Sequence, residues 1–308
     1  MRFLRLPSSA PSSPHGPRRG LLILGLAAWT AALFACGGEP GLEPLRFTAI
    51  PSESRSELEA KFRPLAEHLS EQLGLPVEFV PATDYAASVE LFAAGDVELA
   101  WFGGLTGVQA RRAVPGAEAI AQGRSDPTYK SYFIARRDAG LIPTETFPLG
   151  LADLDFTFGS PGSTSGRMMP EHFLREATGQ SPEEFFGSPM RFSGSHDLTW
   201  QAVQSGAAQA GVLDYKVFER DLASGEIDPL TVAVVWATPN YSDYNWTAHP
   251  AIDERFGPGT IQRLAETLVA LEDEQLLSAL NRPDGLIPAA TEDFAALESL
   301  ALELDLVR

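Results

Sequence analysis

The chain has one cysteine, Cys36, in 308 residues. No intrachain disulfide can form, and a metal or redox site built on two thiolates is excluded. Histidine is nearly as scarce: the five, His15, His68, His172, His196 and His249, fall at no spacing that suits a metal. Basic residues number 23 against 41 acids, a formal charge of −18. So acidic a chain does not bind nucleic acid by neutralising phosphates, and an anionic ligand would have to be met by local donors against the long-range field. Neither a Gly-x-x-x-x-Gly-Lys-Ser/Thr nor a Gly-x-Gly-x-x-Gly loop stands at a suitable place, which removes nucleotide hydrolysis. Coiled-coil heptads and solenoid repeats are also missing.

What is present begins with an export signal. Residues 1–35 carry four arginines and no acid, and Leu21 to Ala35 is an uncharged run, apolar but for Thr30 and too short for a comfortable membrane span of roughly 20 residues. Leu33-Phe34-Ala35-Cys36 resembles the lipobox of bacterial lipoproteins, which implies a signal peptide over 1–35 and a lipidated Cys36. The glycines and prolines of 36–44 suit a flexible tether. With the signal's four arginines removed, the exported part carries −22.

Residues 45–308 are enough for two lobes. Strand Leu45 to Ile50, a helix striped by Leu58, Phe62, Leu65, Leu69 and Leu73 and stopped at Gly74, strand Val77 to Val80, helix Tyr85 to Ala94 and strand Val97 to Phe102 alternate as βαβ units. The grammar repeats in strand Phe156 to Phe158, helix Gly166 to Ala177, strand Met190 to Phe192, helix His196 to Ser205 and strand Ala210 to Leu213. Strand-like runs at 130–136 and 231–236 flank this block and are the expected crossings between lobes. The reading is an α/β protein with lobe 1 over 45–136 and 237–308 and lobe 2 over 137–236, each a mainly parallel sheet flanked by helices. The tail from Gly259 to Leu304 reads as helical and is expected to pack on lobe 1.

The most telling stretch is Phe156-Thr-Phe-Gly-Ser-Pro-Gly-Ser-Thr-Ser-Gly166, a strand and a glycine- and hydroxyl-rich turn entering a helix. Free amides at a helix start and the positive end of its dipole favour a small anion, and Ser163, Thr164 and Ser165 add hydroxyl donors. The bland alternative is a capped helix start with satisfied serines. Tyr85, Tyr129 and His196 also fall at strand-to-helix junctions or beside a crossing, where ligands of open α/β sheets bind. A hydrolase reading would use Ser163 or Ser165 with His196 and Asp197. Adjacency of His196 and Asp197 on one helix points them apart, and no Gly-x-Ser-x-Gly elbow is present.

At these residues the chain closely resembles the periplasmic binding proteins of phosphonate/phosphite ABC importers, and within them a subgroup labelled as selenate-transporter binding proteins. The passages that carry the resemblance include Phe47 to Pro51, Leu99 to Leu105, Lys130 to Ala135, Gly162 to Pro170 and Asp243 to Trp246. The resemblance implies a two-lobed, hinge-closing fold of the type II class with the ligand in the interlobe cleft. It also implies that Ser163, Thr164, Ser165, His196, Tyr85 and Tyr129 hold a small oxyanion. Where aminophosphonate binders keep a glutamate, the alignment places Lys216, which would repel an amino group; where they keep a tyrosine, it places Phe102, leaving a drier wall. Whether Asp214 or Asp243 enters the pocket decides between protonated and proton-free anions. The expected protein is a monomeric, lipid-anchored, non-enzymatic binding protein without metal or cofactor, handing selenate, sulfate, phosphate, phosphite or phosphonate to a permease and its ATPase. A sensory module docking on a membrane receptor is the alternative.

Overall fold

The computed structural model describes residues 43–307. The signal segment, the Cys36 lipidation position and most of the tether lie outside them. The described strands are β1 Leu45–Ala49, β2 Val77–Phe79, β3 Leu99–Phe102, β4 Glu118–Gly123, β5 Ser131–Arg136, β6 Phe156–Thr157, β7 Ala210–Asp214, β8 Val232–Ala237, β9 Asn245–Ala248 and β10 Leu286–Pro288. They form a six-stranded sheet in the order β10-β4-β9-β3-β1-β2 and a four-stranded sheet in the order β6-β7-β5-β8.

Local chemistry explains the elements that the periodicity predicts. Ser54 and Glu57 cap each other's backbone at the start of helix Arg55–Leu73, and Gly74 ends it at φ 68°, a left-handed conformation that favours glycine. The same helix buries Leu58, Phe62, Leu65 and Leu69, and Phe62 meets Phe47 of β1 edge-on with ring centroids 5.8 Å apart. Helix Tyr85–Ala93 starts from Asp84, whose carboxylate accepts the Ala87 amide, and helix His196–Ser205 starts from Ser195. The tail helices Thr260–Val269 and Glu274–Ala279 pack on helix Arg55–Leu73, and Ala295–Glu303 packs on Gly104–Ala113, so the tail covers the larger sheet as expected.

Three expectations are corrected. The sheets are mixed: β1-β2, β1-β3 and β6-β7 pair in parallel, whereas β3-β9, β4-β9, β10-β4, β5-β7 and β5-β8 are antiparallel. The antiparallel members come from chain that crosses between sheets or returns late in the sequence, which local alternation does not reveal. Met190 to Phe192 is not a strand; its contribution is a single bridge from Phe192 to Phe158. Third, β5 and β8 both belong to the smaller sheet, so chain placed at the end of lobe 1 (131–136) lies in the second sheet. The crossings are 124–130 and 238–244 instead.

Those two segments are zipped together. Tyr129 N donates to Tyr241 O at 2.8 Å, Tyr241 N returns to Tyr129 O at 2.9 Å, and Asp243 N donates to Asp126 O at 3.0 Å. At their base, Arg282 from the tail puts Nε 2.7 Å from Asp126 Oδ1, with both side chains buried. The guanidinium lies over Trp101, Tyr129 and Tyr244, 4.7 Å from the last ring's centroid. Burying a charge demands such a partner, because a lone one is strongly disfavoured away from water. Gly123 makes room for the pair: a Cβ there would stand 2.3 Å from Arg282 Cδ and 2.6 Å from Asp126 Oδ2. Gly123→Ala should therefore lower unfolding free energy by about 1–3 kcal/mol, read from the denaturation midpoint. An unchanged midpoint would mean that the Arg282 stem can move aside freely.

Candidate functional site

The serine turn lies where second-sheet chain meets the first. Ser163 caps the turn, its Oγ accepting the Gly166 amide at 2.8 Å. The turn Thr164–Met168 is wound as a π-helix before helix Met169–Thr178 continues, a form that recurs at functional sites. Glycine is required at its centre, because a Cβ on Gly166 would meet Ser163 Oγ at 2.9 Å and Gly159 Cα at 3.1 Å. Thr164 reaches across: its Oγ1 accepts the amide of Leu105 at 3.0 Å, in the first turn of helix Gly104–Ala113 beyond β3. That helix has no side-chain cap of its own; its Gly104 amide donates to Asp243 Oδ1 at 2.8 Å. One helix start is thus completed by one residue from the second lobe and one from a crossing.

His196 and Tyr85 face each other over the same junction, with Tyr85 OH 3.5 Å from His196 Nε2. The Asp214 amide donates to His196 Nδ1 at 3.4 Å, which leaves the ring proton on Nε2, pointed at Tyr85. Burial holds the imidazole below its ordinary pKa despite the nearby Asp214 charge, so the ring is neutral and serves as a donor through Nε2. Burial pushes the Tyr85 hydroxyl well up, and Asp214 and Asp243 add to this. It stays protonated.

Two buried carboxyls share this neighbourhood with opposite fates. Asp214, at the end of β7, is saturated: Oδ2 accepts Tyr129 OH at 2.5 Å and Tyr244 OH at 3.0 Å, while Oδ1 accepts the Lys216 amide at 2.7 Å and the Val217 amide at 3.3 Å. Burial alone would raise its pKa, but the Tyr129 and Tyr244 hydroxyls and the Arg282 charge outweigh it and hold the carboxyl below its ordinary range. Asp243 is not saturated. Its Oδ2 is buried without a hydrogen-bond partner, and burial, reinforced by Asp214, pushes its pKa up to about 7, with the Gly104 amide and the Thr164 hydroxyl pulling the other way.

The residues singled out in the sequence thus have distinct places. Tyr85, Ser163, Thr164 and His196 are brought together and are buried. Ser165 is buried beside them, its carbonyl accepting Ser131 Oγ at 2.7 Å, and that hydroxyl lies 2.6 Å from Tyr241 OH. Tyr129 is present, but its one hydroxyl proton is directed at Asp214. Phe102 lies on the opposite face of β3 from Trp101 and packs edge-on against Phe92, 5.6 Å between centroids; it is core rather than pocket wall. Lys216 gives the cluster its backbone amide, while its ammonium lies 5.5 Å from the Tyr215 ring centroid. Asp197 accepts the Ser195 hydroxyl, and His196 Nδ1 faces an amide, so no carboxylate orients the histidine as a triad would require. Among the described residues no cluster of three or more metal-ligating side chains is found. Sequence reasoning missed Arg282, Tyr244, Tyr241 and Ser131. Tyr244 and Ser131 carried a signal, through their places in Asp243-Tyr-Asn-Trp246 and Lys130-Ser-Tyr-Phe-Ile-Ala135.

Comparison with known proteins identifies the family and the fold. The family model described as "ABC transporter, phosphonate, periplasmic substrate-binding protein" matches residues 47–294. The probable phosphite-binding protein of an ABC transporter from Prochlorococcus marinus is 36% identical over 271 residues, covering 86% of this chain and 91% of the relative. A phosphate-import protein of Mycolicibacterium smegmatis is 32% identical over 234 residues, 72% of this chain and 70% of the relative. The solved structure of the Prochlorococcus protein in complex with methylphosphonate superposes with a TM-score of 0.80 at 36% identity, covering 85% of this chain and 98% of that one. The two-lobed α/β architecture is therefore that of the periplasmic binding proteins, and the chain belongs to the phosphonate substrate-binding family of ABC transporters.

Proposed function

We propose that this protein captures a small tetrahedral oxyanion that still carries a proton, of the phosphite, methylphosphonate or phosphate type, and delivers it to a membrane permease and its ATPase without covalent chemistry. Ser163, Thr164, Ser165, Tyr85 and His196 Nε2 are the donors; Asp243 is the acceptor. We also propose that Cys36 carries the lipid anchor and that the protein acts as a monomer.

The observation that carries the reading is the unpartnered, buried Asp243 Oδ2 beside those donors. A monoprotonated phosphite or phosphonate has one hydroxyl to donate, and a buried carboxylate oxygen facing it forms a short charge-assisted bond. Selenate and sulfate have no proton to give. With them, lone pairs would meet lone pairs unless Asp243 itself were protonated, so the site selects against them only where that carboxyl is ionised, above about pH 7. The names of the relatives, phosphite binding and phosphate import, and the methylphosphonate complex support the same class.

Three outcomes follow. Ser163→Ala or Thr164→Ala should weaken every bound oxyanion roughly 10- to 150-fold by calorimetry, the equivalent of one hydrogen bond to a charged group; unchanged affinity would move the pocket elsewhere. At pH 8.5, where a carboxyl with a pKa of about 7 is almost wholly ionised, Asp243→Asn, with an amide that can both donate and accept, should shift the methylphosphonate-to-selenate affinity ratio towards selenate by at least about tenfold, whereas a ratio that stays put removes Asp243 from selection. The pH dependence has a definite sign. Selenate needs the protonated form of a carboxyl whose pKa is about 7, so its binding should fall about tenfold per pH unit above that value and level off below it. Selenate affinity flat from pH 6 to 8.5 would contradict the assignment.

A further inference from the structure

Away from the anion donors, the two lobes are joined by an ionic contact. Glu53 lies between β1 and helix Arg55–Leu73 of the first lobe, and its side chain is 5% exposed. Lys61 of that helix holds both its oxygens, at 2.8 and 2.9 Å. From the second lobe, Arg220 of helix Tyr215–Ser224 brings Nη1 to 2.9 Å from Glu53 Oε1. Arg220 Nε meanwhile sits 2.6 Å from Asp221 Oδ1, and Asp221 Oδ2 accepts Trp200 Nε1 at 2.9 Å. One residue earlier, the Ser52 carbonyl accepts the His196 amide at 3.2 Å. A void of about 20 Å³, room for about one water, has Glu53, Lys61, Asp214 and Arg282 among its lining residues.

We infer that Glu53 and Arg220 form a latch across the cleft, a positioning pair that stabilises the closed lobes and slows release of whatever anion the site holds. The charges make it releasable. When the lobes part, Glu53 keeps Lys61 and Arg220 keeps Asp221, so opening leaves no buried charge without a counter-ion, the condition under which breaking an ion pair becomes prohibitive. With Arg220 about one-third exposed, the contact biases the closed state modestly rather than locking it. Because the latch touches no ligand atom, it lowers the apparent dissociation constant of every ligand by one common factor, the closed-state population it adds. The donors of the serine turn act differently, since each weighs particular ligand oxygens.

This inference rests on the cleft being the anion site, and the experiment separates the two. Arg220→Met, which keeps the stem, and Glu53→Gln are compared with the unaltered protein by calorimetry and stopped flow with phosphite, methylphosphonate and phosphate. The expected result is a common three- to tenfold loss of affinity for all the anions that bind, carried by a faster off-rate with their order unchanged. The double variant should be little worse than the poorer single one. Unchanged affinities, or losses that differ between anions, would overturn the latch. Small-angle scattering of the ligand-free protein gives a reading independent of ligand: a larger radius of gyration in Arg220→Met supports the latch, and an identical one contradicts it. If the unaltered protein takes up none of the three anions, the oxyanion reading fails while the scattering still judges the latch.

Discussion

The buried carboxylate of Asp214 is the contact on which the rest of the site depends. It terminates β7 in the smaller sheet, accepts a hydroxyl from each crossing segment through Tyr129 and Tyr244, and caps the helix that follows it with two amides. Its own backbone amide fixes the His196 ring. A carboxylate with four donors keeps its charge even in a low-dielectric interior. Arg282 makes this tolerable from behind, its guanidinium lying over Tyr129 and Tyr244 while paired to Asp126. The result is a hydrogen-bonded junction built on the two segments that cross between the sheets.

Against that saturated carboxylate, the state of Asp243 stands out. It hangs from the same crossing, one residue from Tyr244, yet only its Oδ1 is bound. Two carboxyls in one buried neighbourhood disfavour each other's ionisation, so fixing the charge on Asp214 helps to raise Asp243 towards neutrality. The division of labour is physical: one acid holds the architecture, and the other keeps a free oxygen, which we propose faces the ligand. It also explains how so acidic a chain can take up an anion. On the proposed reading the anion would meet local neutral donors and an acid whose charge burial disfavours, not the net charge.

The sequence made much of this legible, and the reasons for the rest are particular. Helix Arg55–Leu73 and helix His196–Ser205 could be read because their stripes and caps are local. So could the serine turn, since the glycine and hydroxyl pattern that caps and winds it is local. The antiparallel strands β4, β9 and β10 could not, because their pairing partners are distant in sequence and β4 is rich in alanine and glycine, residues with little strand preference. Phe102 was misplaced for want of the pleat: its neighbour Trp101 took the face towards the crossings. Arg282 was invisible, since a cation in a polar tail turn reads as solvated until Gly123 and three aromatic rings are seen to enclose it.

The central claim, that Asp243 accepts a proton from the ligand, is tested most directly by an atomic-resolution crystal structure of the protein with methylphosphonate. The account predicts a ligand oxygen about 2.5–2.7 Å from Asp243 Oδ2, the length of a charge-assisted O–H···O bond, with the remaining oxygens on Ser163, Thr164 and His196. A ligand bound among those donors with Asp243 Oδ2 turned away, or beyond hydrogen-bonding distance, would contradict it.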